Sequence, residues 1–157
     1  MVDNNVFENT FQRKLIYVFR INDAAHEGYL KIGDATINSN LPSEKLIYPK
    51  SELKAAAEKR IDSYTDTASI EYELLYAELA IKEDIDEDTG EKVLKSFRDH
   101  EVHKVLKNSG IKNVQINDKP GKEWFKVDLE TVKNAIKATL RNDIILHENS
   151  IKNREKK

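Results

Sequence analysis

The chain has 157 residues, enough to bury a real core, and fits one domain with a short tail. It contains no Cys, which excludes a disulfide scaffold, a thiolate metal site and a thiol nucleophile, and its net charge of −2 gives no positive excess for a nucleic-acid partner. No apolar run approaches the ~18 residues of a membrane span and the start is unlike a signal peptide, so a soluble cytoplasmic protein with no membrane partner is expected.

Residues 1–13 read as a polar lead-in. Lys14 to Ile21 is rich in β-branched and aromatic residues and predicts a strand. After the turn-forming stretch Asn22 to Gly28, Tyr29 to Ala35 predicts a second strand, so the two form an antiparallel hairpin. Residues 36–50 hold Asn, Ser and two prolines and read as a loop. Ser51 can cap a helix over about 52–64, whose apolar stripe is Leu53, Ala56, Ala57 and Ile61. Ile70 to Ile81 predicts a third strand. Its alternation slips at Leu74-Leu75, which fits a bulge, a strand buried on both faces, or a helix instead. Asp86 to Gly90 is a turn.

Ser96-Phe97-Arg98-Asp99 fits a capping box for a helix to about Asn108, which Gly110 stops. Asn113 to Ile116 predicts a short strand, Asp118 to Gly121 a loop, and Trp124 to Val127 an extended segment. Asp128 caps a last helix with Leu129, Val132, Ile136 and Leu140 on one face. Residues 149–157 form a basic tail or a linker to further domains of a longer chain. The pattern is that of an α+β domain over 14–148. Its small antiparallel sheet has three strands or slightly more, is built on the N-terminal hairpin, and is flanked by helices. The expected core is Leu15 or Ile16, Val18, Ile32, Ile61, Val102, Leu106, Phe125 and Ile136, with Trp124 at least half buried. The 36–50 loop and the tail are the expected mobile parts.

Charge is unevenly spread. Residues 71–91 hold nine acids and one base, Lys82, while elsewhere bases exceed acids by six. Such a window reads as a solvated acidic edge, or as segregation that leaves a basic surface for a polyanion.

Several side chains could carry chemistry. Tyr17 stands mid-strand, and Lys31-Ile32-Gly33 lies in the facing strand. A strand Tyr is more often half-buried core than catalyst, but a strand Gly often marks a close backbone approach. Arg60 and Tyr64 are four apart and share a helix face, with Arg60 at the edge of the apolar stripe. Asp99, His100, Glu101 and His103 crowd one helical turn. Asp99 and Glu101 suit the first turn of a helix, yet one carboxylate plus a substrate phosphate is enough to hold Mg²⁺.

In order, Ile16-Tyr17, Lys31-Ile32-Gly33, Arg60-x-x-x-Tyr64, the acid near residue 100 with His103, and Glu123-Trp124-Phe125 make a set that resembles the GIY-YIG nuclease superfamily. The likeness is to its phage and bacterial branch, whose second motif reads Lys-Ile-Gly, and it spans about residues 14–127. The resemblance implies a DNA endonuclease that hydrolyses phosphodiester bonds with one Mg²⁺ or Mn²⁺, as the N-terminal part of a larger restriction or helicase-type protein. It implies that Tyr17 helps activate the attacking water and that Lys31 replaces the family's second tyrosine. Arg60 would stabilise charge on the phosphate, and Tyr64 would orient the water or phosphate. For the metal ligand the choice falls on Glu101, the residue type of the family, with Asp99 as the alternative. Gly33, His103, Asn117 (or Asn113) and Glu123 would support the site. Leu15 replaces the first motif's Gly, and Ile37 to Pro49 reads as an insertion. These departures favour an inactive nucleic-acid or protein interaction module on the same fold as the alternative. An unrelated α+β domain is the third reading.

Overall fold

The computed structural model describes residues 13–49, 52–65, 71–114 and 124–146, with the side chains of 64 and 65 excepted. Residues 1–12 of the expected lead-in, Ser51, the Tyr64 side chain, Asn117, the loop around Pro120, Glu123 and the tail lie outside the described residues.

Strands β1 (Lys14–Arg20) and β2 (Tyr29–Thr36) form the expected antiparallel hairpin, with Tyr17 directly opposite Gly33. Strand β3 (Glu73–Leu79) pairs with the other side of β1. Its register slips at Val18 and Phe19, which face Tyr76 and Leu74 and leave Leu75 unopposed, so the break in alternation at Leu74-Leu75 is a bulge. The predicted strand does not run on to Ile81. At Ala80 the chain leaves the sheet and enters a separate two-stranded ribbon, β4 (Ile81–Ile85) with β5 (Lys92–Ser96). The Ala80 amide donates to the Lys14 carbonyl at 2.7 Å and its carbonyl accepts from Phe97 at 3.0 Å, which pins the root of the ribbon.

Two short strands, β6 (Asn113–Val114) and β7 (Trp124–Lys126), complete the main sheet in the order β3-β1-β2-β7-β6, all antiparallel. Among the described residues the sheet therefore has five strands, where three or slightly more were expected. The first half of β2 pairs with β7, while its second half, Ile32 to Thr36, pairs among the described residues only with β1.

The sheet is covered on both faces. Helix α1 (Glu52–Thr65) lies on the face of Leu15, Tyr17 and Phe19, and buries Leu53, Ala57 and Ile61 there. A fully buried Leu or Ile contributes about 1.5–3 kcal/mol. Helices α2 (Asp99–Asn108) and α3 (Leu129–Leu140) cover the face of Ile16, Val18 and Ile32, where Phe97, Val102, Leu106, Phe125 and Ile136 form the larger core. Every residue expected in the core is buried, and Trp124 is 5% exposed. The Asp128 carboxylate accepts from the Thr131 amide at 2.9 Å, the expected cap of α3, and Gly110 follows α2 at φ 88°.

Two expectations need correction. Ser96 belongs to β5 and is not the N-cap of α2; that position is Arg98, whose side chain makes no capping bond. The described part of the 36–50 loop is anchored rather than loose. Ile37 and Leu46 are buried against α1, and the Arg13 guanidinium donates to the carbonyls of Ser39 and Leu41. Among the described residues no helix is long and apolar enough to cross a membrane.

Candidate active site

The hairpin register determines the first part of the site. Residues opposite one another in an antiparallel pair point to the same face, so Tyr17 and position 33 share the α1 face. The Tyr17 ring lies flat across the space that a side chain at 33 would occupy. A Cβ there would stand 2.7 Å from the ring Cε1 and closer still to Cζ and the hydroxyl oxygen. Gly33 is thus required by the tyrosine, and the two form one packing unit. Lys31 lies two residues back on the same face, opposite Phe19 and Trp124, and is 8% exposed.

The second part is the docking of α2 on the one-sided stretch of β2. The Asp34 carboxylate, next after Gly33, accepts from the Asp99 amide at 2.8 Å and from Arg98 Nε at 2.9 Å. A distant carboxylate therefore satisfies the first amide of α2, in place of the local cap the sequence suggests. One turn later, His103 Nε2 bonds the Ile32 carbonyl at 2.9 Å. A carbonyl only accepts, so Nε2 carries the proton. The imidazole packs 5.0 Å from the Phe125 ring and is buried.

These bonds place the Asp99 carboxylate at the strand edge. Among the described residues, none donates a hydrogen bond to it. Burial raises its pKa and the negative charge of Asp34 adds to the rise, against the lowering effect of His103, Lys31 and Arg98. Burial also acts to raise Asp34, but the bonds from Arg98 and the Asp99 amide, with the charges of Arg98 and Lys14, outweigh it and hold Asp34 below the usual carboxylate range. Two neighbouring carboxyls with pKa values pushed apart are an arrangement suited to acid–base work.

Glu101 points elsewhere. Its carboxylate accepts from Lys82 Nζ at 3.1 Å, on the side where α2 meets the ribbon. The geometry favours Asp99 over Glu101 as a cation ligand. Arg60 is exposed on α1, with Nη1 donating to Ser63 Oγ at 3.3 Å. The structure thus brings Tyr17, Gly33 and Lys31 together on one face and sets Asp99 and His103 at the adjoining edge. Sequence reasoning missed Asp34 and Arg98. The signal for them was available in an arginine at the residue before a helix, where Ser, Thr, Asp or Asn is favoured.

The family resemblance implies a divalent cation. Among the described residues no three or more His, Asp or Glu side chains converge at ligating distance. The donor set fits a weaker arrangement, in which the oxygens of Asp99 hold one hard cation together with water and phosphate oxygens.

A cleft of about 1200 Å³ opens at the other end of the sheet and is lined by charges of both signs, among them Arg20, Asp23, Lys112 and Asp128. None of the described candidate site residues lines it. No protein-family model, curated protein or solved structure matches this chain.

The carboxyl pair predicts a pH signature in stability. Asp34 has a depressed folded pKa, so its contribution is full above about pH 4 and is lost as pH falls through the folded value. Asp99 has the opposite sign. Its raised value penalises the folded state at neutral pH, and that penalty is relieved as pH falls through the raised value towards 4. Urea unfolding of Asp34→Asn should show a weaker loss of stability below pH 4 than the wild type. An unchanged acid limb would show that Asp34 is not held in its charged form.

Proposed function

We propose that this chain is a DNA endonuclease domain that hydrolyses phosphodiester bonds with one Mg²⁺ or Mn²⁺ ion. The observation that carries the reading is the juxtaposition of the Tyr17–Gly33 unit and Lys31 with the Asp99 carboxylate, to which no described residue donates a hydrogen bond, at the edge of the same strand. Bound at Asp99, a divalent cation would supply positive charge to a phosphate in its transition state. The protein's own groups do the rest. The Lys31 ammonium lies close enough to Asp99 to lower its pKa, and so bears on the same anionic centre. The Tyr17 hydroxyl is the candidate acceptor for the proton of the attacking water. Arg60, from the helix over that face, is the candidate partner for a phosphate oxygen.

A second reading, an inactive nucleic-acid or protein interaction module, is favoured by two specific observations. Tyr17 is 3% exposed, and the glutamate of the family's type is tied to Lys82. Plasmid cleavage separates the two. The wild type should nick plasmid DNA with Mg²⁺ or Mn²⁺ and stop on chelation, and Arg60→Ala should lower the rate by at least about tenfold. DNA binding without cleavage under any divalent ion would replace the nuclease with the binding module.

A further inference from the structure

We propose that Arg98 binds a backbone phosphate of the nucleic acid, and that Asp34 is the positioning residue that aims it; the inference rests on the nucleic-acid reading above, but not on catalysis. Arg98 occupies the N-cap of α2, yet its side chain caps nothing and is 58% exposed. Its guanidinium is held at Nε by a carboxylate whose side chain is 9% exposed. Among the described residues neither Nη group makes a hydrogen bond. One edge of the fork is therefore fixed from below while the other presents its donors to solvent. Guanidinium geometry matches two oxygens of one phosphate. Because the side chain is already oriented, binding costs less rotamer entropy than it would for a free surface arginine.

The surroundings agree. Arg98 precedes Asp99 in sequence, and the two are close enough for each charge to shift the other's pKa. The amide end of α2 adds a favourable field for an anion. A phosphate there would lie beside the carboxylate argued above to hold the cation. An arginine in place of a capping residue weakens the helix locally, and Asp34 compensates from another strand. Such a conflict between local preference and fold is expected where a residue serves function.

The test is fluorescence anisotropy of a short labelled mixed-sequence duplex with the full chain in Ca²⁺, over a salt series. Arg98→Ala should weaken binding by about 5- to 20-fold and reduce the slope of log K against log salt by about one. Arg98→Lys keeps the charge, so it should retain the slope and recover only part of the affinity. Asp34→Ala should weaken binding alone but add nothing in the Arg98→Ala background, because it acts through Arg98. If Arg98→Ala binds with the wild-type affinity and slope, the inference is overturned and the nucleic-acid reading stands. An additive effect of Asp34→Ala in that background overturns the positioning role. If the wild type binds no duplex, the nucleic-acid reading itself fails and the inference falls with it.

Discussion

Asp99→Asn should reduce metal-dependent cleavage by at least about 100-fold while leaving the fold as stable as before, or more so. Asn keeps the shape of Asp and loses the charge that holds a cation, and removing one such electrostatic contact commonly costs a factor of this order. The stability half has a separate basis. The carboxyl is penalised by burial and by Asp34, and no described residue donates a hydrogen bond to it, so its charge does not help folding. Glu101→Gln gives the contrast. It breaks the partly exposed ion pair with Lys82, which is worth under about 1 kcal/mol, and should keep most of the cleavage rate. The reverse outcome, with Glu101→Gln inactive and Asp99→Asn active, would return the metal to the family's acid. Full activity in both variants would remove the cation from this edge.

Gly33→Val should be the most disruptive single change in the hairpin, costing about 3 kcal/mol in urea unfolding and cleavage with it. The new side chain must enter space held by the Tyr17 ring, and that ring is itself enclosed by the core beneath α1. A double-mutant cycle isolates the cause. In Tyr17→Ala the ring is gone, so adding Gly33→Val should cost at least about 1 kcal/mol less than in the wild type. Additive effects would mean that the glycine is needed for some reason other than the tyrosine.

The sequence was most legible where one physical signal dominated. The hairpin and the three helices fall within about two residues of their predicted limits because their periodicities are long and uninterrupted. The irregularity at Leu74-Leu75 was also readable, since a bulge leaves its trace in the alternation. The ribbon was not. In β5, Leu94 is 47% exposed and Val93 only partly buried, so the segment has no apolar face and is a strand only through its partner. The site divides in the same way. Tyr17 and Gly33 were visible as motif residues, but the reason for their pairing is a cross-strand register. Asp34 was hidden because its role depends on a helix 65 residues away, and the same contact frees the Asp99 carboxylate from the capping role its position suggests.

The start of α2 is joined to β2 by side-chain bonds, from the Asp99 amide to the Asp34 carboxylate and from the His103 ring to the Ile32 carbonyl, and Val102 between them is fully buried. It follows that only the tip of the helix, at Asp99, can part from the strand without unpacking Val102 and His103. Breaking one hydrogen bond to a charged group costs about 1.5–3 kcal/mol, so on the order of one molecule in a hundred has the Asp99–Asp34 bond open at any moment. Hydrogen exchange at the Asp99 amide reports that population directly, since its acceptor is the Asp34 carboxylate rather than a carbonyl of the helix. Any ligand that engages both Arg98 and Asp99 would slow that exchange selectively, leaving the amides of the helix interior unchanged.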